Sequence, residues 1–370
     1  MSWLVAGYLA RNGRAAPGWI EIEEETIVAA QVGSPPRPPD ERFDGLIAPG
    51  LVDLQVNGAA GHEVTGGHSA LDAIDAVQLA HGVTGYLAAV VSAGEASADA
   101  AVAAIAERAA DPASPVAGIH LEGPFLSPEH AGMHPLASLR RPSDGVPNCY
   151  DSPAVRLATL APELPGALEL IARLRRRGIA VALGHSGATA DQARAAIRAG
   201  ATMITHVFNA MGPLRHREPG LAGVALVDER VSVGVIADGH HVDPVVLEIV
   251  RRAAGRRTVL VSDASPAADA APGRYQFGGV AIVRDPDGVV HTTSGRLAGS
   301  SLTLDAAVRG WATLTRATLP QAIRAASEAP ARVLGLQSGL RSGRRADLVL
   351  VDRDGFVQRV MRRGRWLTSG

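Results

Sequence analysis

Four short apolar runs in this 370-residue chain end the same way, each handing over to a residue that can bind a metal or carry a proton. Gly118-Ile119-His120-Leu121 closes on Glu122, and Gly123-Pro124 then stops any continuation. Residues 179–183 lead through Gly184 to His185, residues 201–205 lead to His206, and residues 258–262 lead to Asp263. Stretches of helical length lie between such runs, and a repeated β-then-α order favours a parallel sheet covered by helices. An open doubly wound sheet would gather its polar strand ends at one switch point. Here they are spread over several strands, which points to an α/β fold of the (β/α)8 TIM-like barrel type, where every strand end opens onto one face.

Taken in order, the middle of the chain predicts strands at 51–56 and 85–91, then strands ending at Glu122, His185 and His206, then strands at 231–236 and 258–261. Helices are expected at 70–80, 97–109, 164–177, 191–199, 244–254, 304–315 and 320–333. The barrel is placed at 49–335, with a β-hairpin insertion near 273–300 in which 275–283 reads as one strand and 289–293 as its partner. Outside it, residues 3–9, 19–23 and 26–30 read as strands, and Pro35-Pro36-Arg37-Pro38-Pro39 excludes helix. Such a piece cannot hold a core alone. Residues 346–351 and 356–360 alternate around an Asp354-Gly355 turn, so 1–48 and 336–370 are read together as one small β-sandwich domain built by both termini.

The near-neutral balance, with net charge −1 and arginines interspersed among acids, indicates neither a nucleic-acid nor a membrane partner. No apolar run approaches membrane-spanning length and the start lacks a secretory pattern, so a cytoplasmic location is expected. One cysteine, Cys149, cannot form an internal disulfide. All 36 basic residues are arginine. The lack of lysine removes Schiff-base chemistry, pyridoxal phosphate linkage and a carboxylated-lysine metal bridge from consideration.

Glu122, His185 and His206 form a plausible open ligand set for one catalytic divalent metal, leaving Asp263 for proton transfer. The glycines beside His185 allow a close backbone approach to a ligand. Each residue also has a plainer reading: Glu122 as a salt-bridge partner, a lone histidine as a packed side chain, Asp263 as a helix N-cap beside Ser262 and Ser265. At the first strand end, where metal hydrolases often carry two histidines, stand Gln55 and Asn57, neutral amides that are poor ligands and leave a second metal position disabled. His62, His68 and His81 match no ligand spacing and are read as surface residues. Phe208-Asn209-Ala210-Met211-Gly212 can present backbone N–H groups to an anion, with Arg217 and Gly239-His240-His241 adding cationic or switchable donors.

Together, Pro49-Gly50-Leu51-Val52-Asp53, His120-Leu121-Glu122-Gly123-Pro124-Phe125, Gly184-His185-Ser186, Thr205-His206-Val207-Phe208-Asn209-Ala210-Met211, Arg217-Glu218-Pro219-Gly220-Leu221-Ala222-Gly223 and Val261-Ser262-Asp263-Ala264 resemble the N-acetylglucosamine-6-phosphate deacetylases of the amidohydrolase superfamily, across essentially the whole chain. The resemblance implies one divalent metal per subunit on Glu122, His185 and His206, with Zn2+ first and Fe2+, Co2+ or Mn2+ as alternatives. It implies Asp263 as general base and then acid, and His134, in the loop 129–135, as the histidine that polarises the acetamido carbonyl. Asn209 and Ala210 match phosphate contacts, and Leu302 matches an apolar contact near the acetyl group. Arg217 and His241 match phosphate ligands that a neighbouring subunit supplies, so a homodimer is expected. Gln55 and Asn57 resemble the family members with one metal rather than two. The implied reaction is hydrolysis of N-acetylglucosamine 6-phosphate to glucosamine 6-phosphate and acetate, with the galactosamine epimer or another N-acyl amino-sugar phosphate as the near rival. A non-catalytic sugar-phosphate sensor and a metal phosphatase are the readings from other classes.

Overall fold

The computed structural model describes residues 2–367. At its centre, eight parallel strands follow one another in chain order: Leu51–Val56, Val83–Val91, Val116–Glu122, Val155–Leu160, Ala180–Leu183, Met203–Ile204, Ser232–Val235 and Thr258–Leu260. The sheet closes between its first and last members. Val56 bridges Ala264, Asn57 N–H donates to Ala264 O at 2.8 Å, and the buried Asp53 carboxylate accepts from Ser262 N–H at 3.3 Å. The expected barrel is therefore formed. Val52, Leu87, Leu157, Ala182, Met203 and Val259, from six of the eight strands, make one buried cluster, and a larger one joins the outer faces of the strands to the helices through Ile74, Ile105, Ile171, Leu247 and Trp311.

Several elements depart from the sequence expectation. The fourth strand, Val155–Leu160, is absent from the sequence expectation because Arg156 and Thr159 interrupt its apolar run. In the structure each has a partner: Arg156 donates to Leu334 O at 3.0 Å, and Thr159 Oγ1 meets His120 Nε2 at 2.7 Å. The helix Gly220–Val227 carries no polar face and so shows no 3.6-residue period. The expected helix at 320–333 is two, Leu319–Ala326 and Glu328–Val333, separated at Ser327. The expected strand at 275–283 turns back on itself at Gly278-Gly279, giving Gly273–Phe277 and Val280–Arg284, with Val290–Thr292 as a third strand.

The two chain ends build one seven-stranded sheet, in the order Arg365–Trp366, Val357–Arg362, Leu348–Val351, Glu41–Pro49, Ser2–Arg11, Arg14–Glu23, Thr26–Val32. Glu41–Pro49, which the sequence reading left out, is its keystone, parallel to Ser2–Arg11 and antiparallel to Leu348–Val351. A bridge from Thr26 to Arg345 curls the sheet over a core of Val5, Ile20, Ile27, Ile47, Leu348 and Met361. The expected terminal unit also included residues 1 and 368–370, which lie outside the described residues. Among the described residues no helix is long and apolar enough to cross a membrane.

Arg362 fastens this sheet to the barrel. Its buried guanidinium donates to the carbonyls of Thr84, Pro112, Ala113 and Ser114. Removing the donor strands several buried acceptors, so Arg362→Met is expected to cost about 3 kcal/mol of stability. A lowered urea midpoint with an unchanged transition slope is the measurement that checks it.

Candidate active site

Glu122, His185, His206 and Asp263 leave the ends of the third, fifth, sixth and eighth strands, and the barrel brings them to one mouth. Glu122 Oε1 lies 3.1 Å from His206 Nε2 and 3.3 Å from His185 Nε2, and the two ring nitrogens are 3.2 Å apart. All three residues are buried. The backbone turns sharply at His185 and at Asp263, with φ of 49° at both. Gly184 is required here for a reason other than the expected approach to a ligand: a Cβ would sit 2.3 Å from Thr205 Cγ2 on the adjacent strand.

The protonation pattern tests whether these residues suit a cation. His185 Nδ1 lies 3.0 Å from His130 O and serves as its donor. Burial holds His185 down at about 4, so the ring is neutral and its Nε2 is bare. A bare nitrogen then faces a carboxylate oxygen, since burial, which alone would raise Glu122, is outweighed by the surrounding imidazoles, which hold it well below its ordinary value. One positive ion among the three donor atoms removes that conflict, and two imidazoles with one carboxylate match the preference of a zinc-like ion. The residues fit a single divalent metal.

Gln55 and Asn57 occupy the first strand end as hydrogen-bond donors. Gln55 Nε2 donates to Glu122 Oε1 at 2.9 Å while its own oxygen accepts from Thr205 Oγ1 at 3.0 Å, and Asn57 Nδ2 donates to Asp263 Oδ1 at 2.9 Å. Asp263 caps no helix: its carbonyl accepts from Ser300 N–H at 2.8 Å in irregular chain. Desolvation, and next the Glu122 charge, lift its carboxyl to about 6, where a proton can be taken and returned near neutrality.

Glu122, His185, His206 and Asp263 line a cavity of about 350 Å3, within the range of small-molecule sites. His134 lies in it with Nε2 3.8 Å from Glu122 Oε2. Ser92 N–H donates to His134 Nδ1 at 3.2 Å, so that nitrogen is the acceptor and Nε2 is the ring's donor. Asn209 and Ala210 line the cavity in a turn with φ of 77° at Phe208 and 49° at Ala210. The placement of His241 corrects the expectation that a neighbour supplies it. The ring lines the cavity of its own chain, held there because Asp238 accepts from His241 Nδ1 at 2.6 Å and from its backbone N–H at 2.9 Å.

Two expected residues lie elsewhere. Arg217 is exposed and lines a separate groove of about 570 Å3 with Thr189, Arg194 and Arg215. Leu302 packs against the buried clusters, while Leu297, Phe277 and Met133 supply the apolar cavity wall. His81, read as a surface residue, is half-buried and pairs with Asp305 at 3.0 Å, whereas His62 and His68 are exposed. Sequence reasoning missed Arg296 and Ser92. Arg296 is exposed at the cavity edge, and its guanidinium has no hydrogen-bond or ion-pair partner among the described residues; an isolated arginine in a polar turn carries no signal. Ser92 follows directly on the second strand, so the rule that found the other strand-end residues would have found it.

The chain matches the amidohydrolase family over residues 46–367. It is 37% identical over 369 residues to the N-acetylgalactosamine-6-phosphate deacetylase of Escherichia coli O157:H7, covering 96% of this chain and 97% of the relative. It is also 37% identical over 342 residues to the human N-acetylglucosamine-6-phosphate deacetylase, covering 86% and 83%. Among solved structures, an N-acetyl-D-glucosamine-6-phosphate deacetylase mutant from Mycobacterium smegmatis in complex with N-acetyl-D-glucosamine-6-phosphate superposes with a TM-score of 0.92 at 35% identity, covering 99% of each chain. The Thermotoga maritima N-acetylglucosamine-6-phosphate deacetylase gives 0.89 at 29% identity, again covering 99% of each. With its closed barrel, its Glu-His-His cluster and these relatives, the chain belongs to the amidohydrolase family.

Proposed function

We propose that this protein hydrolyses the N-acetyl group of N-acetylglucosamine 6-phosphate, giving glucosamine 6-phosphate and acetate. The observation that carries the reading is that a carboxylate left free, Asp263, and a histidine with its proton on Nε2, His134, border the Glu122–His185–His206 cluster within one cavity. A binding protein has no use for that pair.

Glu122, His185 and His206 would hold one divalent ion, Zn2+ first, which when bound supplies Lewis acidity toward water and a carbonyl oxygen. Gln55 and Asn57 are neutral amides, poor ligands for a second ion, and turn their N–H groups to the two carboxylates. His134 Nε2–H donates to the acetamido oxygen as negative charge develops there. Asp263 takes the proton of the attacking water and returns it to the departing amine, leaving a free amino sugar and acetate. Leu297, Phe277 and Met133 form an apolar wall assigned to the acetyl methyl. The phosphate is assigned to the Ala210 N–H in the Asn209–Ala210 turn, with Arg296 as the cationic partner at hand and His241 beside it. Arg217, outside the cavity, is assigned to the neighbour's phosphate in a homodimer. The cytoplasm is the assigned location, where such sugar phosphates reside.

A second reading is favoured by one finding, the Escherichia coli relative whose name specifies the galactosamine epimer and whose match spans nearly the whole chain. The epimers differ at one hydroxyl, which a few side chains can discriminate. The ratio of kcat/KM on the two substrates decides between them.

Acetate release from N-acetylglucosamine 6-phosphate by metal-reconstituted protein is the direct assay, and release of inorganic phosphate instead would favour a phosphatase. Asp263→Asn is expected to retain metal while losing about 10³-fold in kcat. Metal titration is expected to saturate at one equivalent per chain, and Glu122→Ala to abolish that binding. Arg296→Ala is expected to raise KM for the sugar phosphate about tenfold with kcat little changed, and to leave turnover of unphosphorylated N-acetylglucosamine as it was.

A further inference from the structure

Glu163 lies outside the cavity, on the loop after the fourth strand, and no step above uses it. Both of its carboxylate oxygens are engaged by the chain immediately after His185. Oε2 accepts from Ser186 Oγ–H at 2.7 Å, and Oε1 accepts from Gly187 N–H at 2.8 Å. The carboxylate has no arginine or histidine partner within ion-pair distance among the described residues, so charge pairing does not explain its place.

Ser186 is fully buried and passes the constraint on in two directions. Its Oγ accepts from Ala188 N–H at 3.0 Å, which shapes the approach to the capping box at Thr189. Its backbone N–H donates to Ala210 O at 3.0 Å, and its carbonyl accepts from Gly212 N–H at 3.1 Å. One carboxylate therefore grips the segment that bears His185, and through that segment the turn that bears Asn209 and Ala210. Both carry backbone in the left-handed region, at His185, Phe208 and Ala210. Non-glycine residues keep that conformation only where the surroundings enforce it.

We infer that Glu163 is a positioning residue that sets His185 for the metal and, through Ser186, the Asn209–Ala210 turn for the anionic end of the substrate. The second half of this inference rests on the deacetylase reading; the first half needs only the metal site. Outer partners of metal ligands typically control affinity tenfold to a hundredfold. Glu163→Gln keeps an acceptor for one of the two donors and turns an N–H toward the other, whereas Glu163→Ala removes both acceptors.

The test measures Zn2+ affinity by chelator competition, together with kcat and KM on both epimeric sugar phosphates, for wild type, Glu163→Gln and Glu163→Ala. Expected are Zn2+ affinity lowered about tenfold to a hundredfold in Glu163→Ala, a raised KM, and an intermediate position for Glu163→Gln. Wild-type metal affinity and KM in a folded Glu163→Ala would overturn the inference. Should Glu163→Ala not fold, Glu163→Gln decides alone, and wild-type values in it count against the proposal. Lack of acetate release by wild type would sink the deacetylase reading but leave the metal-affinity arm intact, so the two failures are distinguishable.

Discussion

The site is organised by one buried carboxylate that must keep its charge. Glu122 is enclosed at the end of the third strand, where desolvation works against ionisation, and His134, His185, His206 and Gln55 surround it with hydrogen-bonding groups. Holding an ion in a low-dielectric interior is favourable only when its surroundings answer every lone pair. The barrel makes this affordable because four strand ends converge on the same point. The same geometry sets Glu122 and Asp263 close enough for each to feel the other, and the burden falls on Asp263, whose proton affinity rises.

Gln55 and Asn57 have a different physical part from the histidines that stand at this strand end in many metal hydrolases. An amide N–H directed at a carboxylate lowers the cost of burying that charge without bringing a second cation. Asn57 thereby orients Asp263, and Gln55, backed by Thr205, orients Glu122. A site served by one ion leaves the proton-transfer carboxylate uncoordinated, as its proposed work requires.

Much of this was legible in the sequence because the relevant signal is local: a β-branched or apolar run that hands over to a residue able to bind a metal or carry a proton. Glu122, His185, His206 and Asp263 all carry it. What was not legible depends on residues far apart in the chain. The strand Val155–Leu160 hides behind Arg156 and Thr159, whose partners belong to the far end of the barrel and to the third strand. Gly220–Val227 is buried all round and shows no period. Glu41–Pro49 reads as loop until Leu348–Val351, three hundred residues later, comes to lie beside it. His241 could not be assigned to its own cavity without seeing Asp238 hold it, and Glu163 reaches Ser186 across a helix and a strand.

Glu41–Pro49 has a consequence for how the chain is made. During synthesis it can pair at once with Ser2–Arg11, but its other edge stays bare until Leu348–Val351 leaves the ribosome. For most of translation the nascent protein thus carries an open strand edge beside an unfinished barrel, a state prone to sticking to other chains. Closing it is among the last acts of folding, and molecular chaperones have the whole intervening interval in which to be needed.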